Sequence, residues 1–192
     1  MSALHPDPTQ LLKDWLDQPE VKAKFQAVSD RAMAAVWEDT QLRVPRTTEE
    51  KTDEFTLWLA GHRERYLEFL HQEFEKEFPG IGKHLEDPYD LWRMVVQGVW
   101  NMIATELVCY AIRGIAFSWV RDRYVETIYP GVPDFREGIW DVPLLQKTEL
   151  GSEPIGNFTF DGSGNFLVVE ATISPREPRQ RLPHLASRRM VA

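Results

Sequence analysis

Glutamate and histidine three residues apart on one helix face can share a metal, and Glu68-Phe69-Leu70-His71 has that spacing. Glu64 and Glu75 lie near it along the same helix. A di-iron centre needs a second such element on another helix, and the chain contains none. On a helical wheel at about 100° per residue, Glu64, Glu68 and Glu75 also sit roughly 150° from the aromatic side of their helix. That places them on the wet side, so Glu68 and His71 are weak metal candidates, and no cofactor is expected.

Glu106 and Arg113 are a second pair, seven residues apart and within about 20° of each other on the wheel. Their neighbours Val99, Met102, Ile103 and Phe117 are apolar. A charge buried among such residues needs a partner, and Tyr110, one turn beyond Glu106, can donate to it. The pattern suggests a buried polar network or a carboxylate lining a small-molecule pocket. His62, inside an aromatic arc, is the fourth pocket candidate.

Other chemistries lack their residues. The lone Cys109, in an apolar stretch, excludes an internal disulfide and a cysteine-rich zinc centre. There is no Gly-x-Ser-x-Gly elbow, no Walker pattern and no Gly-x-Gly-x-x-Gly. Gly162-Ser163-Gly164 has the composition of a hairpin turn. Catalysis is therefore not the expectation.

The elements that must position these residues centre on Asp87 to Tyr129. Asp87-Pro88 opens that helix, and Tyr129-Pro130-Gly131 closes it. Apolar residues occupy every direction of its wheel, the mark of a buried helix. Arg93, Glu106 and Arg113 interrupt it, so no membrane span is expected. Ahead of it, Thr9 caps a short helix through Leu11, Leu12, Trp15 and Leu16. Pro19 opens a second helix to about Thr40, with the stripe Val21, Phe25, Val28, Ala32, Ala35 and Val36. Thr47-Thr48-Glu49-Glu50 has capping-box spacing and predicts one helix from there to Phe78, stopped by Pro79-Gly80. Beyond residue 130, prolines and glycines predict loops. Then Ile155–Phe160 and Asn165–Ile173 read as two strands of a hairpin, with Phe158 and Phe160 on one face.

The predicted fold is mainly α: an irregular bundle of four to five helices around a buried central helix, with a small C-terminal β-hairpin and an extended basic tail. Residues 1–131 would form the bundle, 132–174 the loop and hairpin, and 175–192 the tail. The tail carries Arg176, Arg179, Arg181, Arg188 and Arg189 against one acid, Glu177. Residues 1–174 are left with 17 basic and 29 acidic side chains, a body of −12 beside a tail of +4.

An acidic body disfavours nucleic acid as a partner, and the absence of a leader pattern or paired cysteines makes a cytoplasmic location the expectation. Function is expected in binding: a subunit, adaptor, inhibitor or immunity-like protein with a protein partner of basic character. The surfaces would be the acidic faces (Glu64, Glu68, Glu75) and the hairpin and tail. A homo-oligomer stays open. The alternative is an enzyme or ligand binder with its pocket at Glu106 and Arg113.

Overall fold

The structure is a computed structural model, and it describes residues 13–81, 91–124 and 127–172. A helical segment at 13–16 leads into α1 (Pro19–Thr40), α2 (Thr52–Gly61), α3 (Arg63–Glu77) and α4 (Leu91–Arg123). Five strands follow: β1 (Ile128–Pro130), β2 (Asp134–Arg136), β3 (Ile139–Thr148), β4 (Gly151–Asp161) and β5 (Phe166–Ala171).

The helical stripe of α1 buries Val21, Val28, Ala32 and Val36, as its spacing requires. α3 ends at its C-cap Phe78, and Gly80, at φ +94°, is the third residue of the turn that the Ile81 amide closes on the Phe78 carbonyl (3.2 Å). The expected single helix from Thr47 to Phe78 is instead two. Glu50 does reach back to the Thr47 amide (3.2 Å), but it closes a turn, and the helix begins only at Thr52. The chain then breaks at His62, after Gly61.

α1 and α3 are joined by charge as well as by packing. Glu73 is buried, at 4% exposure, and accepts from Arg31 Nε at 2.6 Å and from Lys76 Nζ. Arg31 also donates to Glu77 at 3.0 Å.

The small hairpin is corrected to a five-stranded antiparallel sheet curled into a half-barrel, so the fold is helical and β together. Strand order is β1-β3-β4-β5, and β2 pairs with β3 on the edge that β1 also uses. The expected hairpin is the β4–β5 end of this sheet, with Phe158 opposite Val169 and Phe160 opposite Phe166. The missed part is residues 128–148, which prolines disguise. Pro143 sits on β3 between the residues paired with β2 and those paired with β1. Its carbonyl accepts from the Gly131 amide (2.7 Å). Its nitrogen, on the same side of the strand, falls in the gap between those two short strands, so the ladder loses nothing. A bulge at Leu144/Leu145 gives β4 one extra residue, Ile155, and this lets Ile155 and Phe158 both turn inward.

α4 is the wall common to two cores. Val96, Trp100, Ile103, Leu107 and Ala111 pack against α1, α2 and α3. Ile112, Ile115, Ala116 and Val120 pack against the sheet, on Trp140, Val142, Leu144, Phe158 and Phe160. The helix ends at Arg123, short of the predicted Tyr129, because Ile128–Pro130 pairs with β3. Its predicted start at Asp87-Pro88 lies outside the described residues, as do Thr9 and the tail.

A latch joins sheet to helices. Asn165 Oδ1, from the β4–β5 turn, accepts from the amides of Thr52 (2.9 Å) and Asp53 (3.2 Å), the free donors at the start of α2. Its Nδ2 donates to Asp161 Oδ2 (3.0 Å), and its own amide donates to Asp161 Oδ1 (2.9 Å). Thus α2 is capped from the far end of the chain. Gly164 beside it is at φ +85°, and a Cβ there would come within 2.9 Å of Thr52 Cγ2.

Asn165→Ala is expected to cost about 1–2 kcal/mol, the worth of an N-cap, measured by urea unfolding. An unchanged midpoint would remove the latch from the account. Hydrogen bonding by Lys76, and then Arg31, holds the Glu73 carboxyl below its ordinary value. A depressed carboxylate stabilises the fold above its unfolded pKa, and that contribution is lost as pH falls through the folded one. Glu73→Gln is therefore expected to flatten the loss of stability below about pH 4.5, read as urea midpoint against pH. Parallel acid limbs for both proteins would contradict this.

Candidate functional site

With one sector of α4 given to the helical core and another to the sheet, a third sector faces outward. Met102, Tyr110 and Phe117 on it are 48%, 57% and 55% exposed, and Met94, about 80° round the helix from Met102, is 51% exposed. Glu106 and Arg113 lie on the same flank and are exposed as well. The expectation that they form a buried network is corrected. Neither makes an ion pair among the described residues, and at about 1.5 Å rise per residue they are about 10 Å apart along the axis.

Tyr110 turns its ring to α1 and meets Trp37 edge-on, with centroids 4.6 Å apart at 74°. Two hollows meet at this aromatic pair. One, of about 250 Å³, is lined by Met33, Trp37, Glu106, Leu107 and Tyr110. The other, of about 390 Å³, runs on past Val44, Pro45, Gly114 and Phe117 to Arg46 and Arg121. Together they make a shallow, largely apolar trough along the α1–α4 seam.

The remaining sequence candidates are elsewhere. His62 is half-buried, stacked on Trp58 at 4.0 Å, with Nδ1 2.8 Å from the Trp58 carbonyl. His71 and Glu68 share a hollow of about 540 Å³ with Glu64, Arg63, Arg65 and Arg93. Burial, and then the Arg93 guanidinium, hold the His71 imidazole below its ordinary pKa. Such a cationic neighbour works against a metal ion there. Among the described residues no three His, Cys, Asp or Glu side chains are grouped to hold one. Glu64 pairs with Arg63 (2.8 Å), and Glu75 accepts from the Gly80 amide (2.7 Å). Cys109 is half-buried, and burial followed by the charge of Glu106 pushes its thiol up, which makes it a poor nucleophile. Arg176, Arg179, Arg181, Arg188 and Arg189 lie outside the described residues.

Sequence reasoning thus named Glu106, Tyr110 and Arg113 but missed what surrounds them. Met94, Met102 and Phe117 read as core because a helical wheel gives direction without saying which directions neighbours occupy. Trp37 and Met33 lie on α1 outside its predicted stripe, and nothing in their spacing set them beside Tyr110. By length and composition alone, Trp92–Arg123 could cross a membrane, although both cores lean on it here. Compared with protein-family models, curated proteins and solved structures, the chain matches none of them.

Side chains on this flank carry little of the folding energy. Phe117→Ser and Tyr110→Ser are expected to shift stability by less than about 1 kcal/mol, whereas Ile112→Ala and Phe158→Ala should cost about 2–5 kcal/mol. Equal costs, measured by urea unfolding, would mean that the flank belongs to the core.

Proposed function

We propose that this protein acts by binding another macromolecule, and that the outer flank of α4, with the trough it forms against α1, is the binding surface. The observation that carries this reading is the row Met102, Tyr110 and Phe117, with Met94 exposed nearer the start of the helix. Large apolar side chains lie half in water on a helix whose folding duties are met by its other faces. An exposed apolar surface with charged residues set among it is the composition of a recognition site. Aromatic and methionine side chains supply contact area at small entropic cost.

A catalytic reading has less support. The charged residues of the flank point to solvent, and the hollows beside it are shallow.

Oxidative footprinting of Met94 and Met102 tests the reading. In native extract both methionines should be oxidised more slowly than in the purified, diluted chain, and the protein should migrate above the 22.3 kDa of a single chain. Equal oxidation rates in both settings, with single-chain migration in extract, would overturn the proposal.

A further inference from the structure

We infer that the macromolecule on this flank is a second copy of the chain, packed so that the two α4 helices run antiparallel about a two-fold axis. This inference rests on the binding role given above to α4. At about 100° per residue, Met102, Glu106, Arg113 and Phe117 fall within an arc of about 60°, and all four are exposed. They form one seam at four- and seven-residue steps, the spacing that helix–helix packing uses.

Their order along the helix makes the seam self-complementary. Glu106 and Arg113 have the same midpoint as Met102 and Phe117, between Cys109 and Tyr110. A two-fold axis at that midpoint sets Glu106 against Arg113 of the second copy, and Arg113 against its Glu106. It also sets Met102 against Phe117. Two charges too far apart to pair within one helix become two ion pairs between copies, flanked by apolar contacts. An isologous interface requires this reciprocity.

The same charges disfavour other occupants. A basic partner finds Arg113 and Arg121 on the surface meant to attract it. A bilayer would have to take Glu106 and Arg113 in the middle of the apolar row, which is costly. A stable dimer buries about 800 Å² per partner, more than one helix seam supplies. Trp37 and Met33, beside Tyr110 on α1, widen the contact.

The test is sedimentation of the purified full chain across a concentration series, with folding of each variant checked by circular dichroism. A reversible monomer–dimer equilibrium is expected. Glu106→Arg and Arg113→Glu should each weaken association at least about tenfold, because each sets like charges opposite each other. The double variant should recover to within about threefold of wild type. Met102→Asp should abolish the dimer while the chain stays folded. A chain that is monomeric at every concentration overturns the inference, and so does a dimer indifferent to both charge reversals or a double variant no better than the singles. If the pure chain is monomeric while Met94 and Met102 stay protected in extract, the self-pairing fails and the binding role stands. Protection by added lipid vesicles alone overturns the self-pairing as well. If protection is absent in every setting, both fail.

Discussion

Burial of α4 is the constraint from which the other elements take their places. It is a 33-residue helix with apolar residues in every direction, and α1, α2 and α3 cover its first half on one side only. The sheet covers the second half from another direction. Curling into a half-barrel lets a narrow antiparallel sheet wrap a cylinder, and the bulge opposite Leu144 helps it do so. Each layer alone would be marginal, since three short helices or one curved sheet lack a second face to bury. With α4 between them, each layer has its second face.

Two layers that meet one helix at different heights need another link if they are to move as one body. Asn165 supplies it by capping α2 from a turn of the sheet. The tight approach of Gly164 to Thr52 and Ile112 brings α2, α4 and the β4–β5 turn to a single point. Here a loop residue does what a local N-cap would ordinarily do, and the sequence before Thr52 lacks that local cap: Lys51 offers no acceptor.

Where the sequence was legible, its periodicity was simple. The fours and threes of α1 and the alternation of Phe158 and Phe160 on β4 read directly into the structure. The rest of the sheet was hidden although Trp140, Val142 and Leu144 alternate cleanly on β3. Pro130, Pro133, Pro143 and Pro154 read as breakers, because the gaps and bulges that tolerate them are properties of strand pairing that no local window contains. The cap from Asn165 was invisible for the same reason, since its acceptor lies more than a hundred residues from its donors. At the candidate site, the residues of interest were legible but their environment was not. Glu106 and Arg113 sit among apolar neighbours in sequence, of which Met102 and Phe117 proved to be exposed and Ile103 buried.

The central claim is that α4 binds two cores into one cooperative unit and still has a sector to spare. Native-state hydrogen exchange along α4 tests it most directly. The amides around Ile103 and around Ile115 are expected to open with one common free energy, equal to that of global unfolding. Separate opening of the two halves, with the sheet-facing half exchanging while the helical half stays protected, would contradict it.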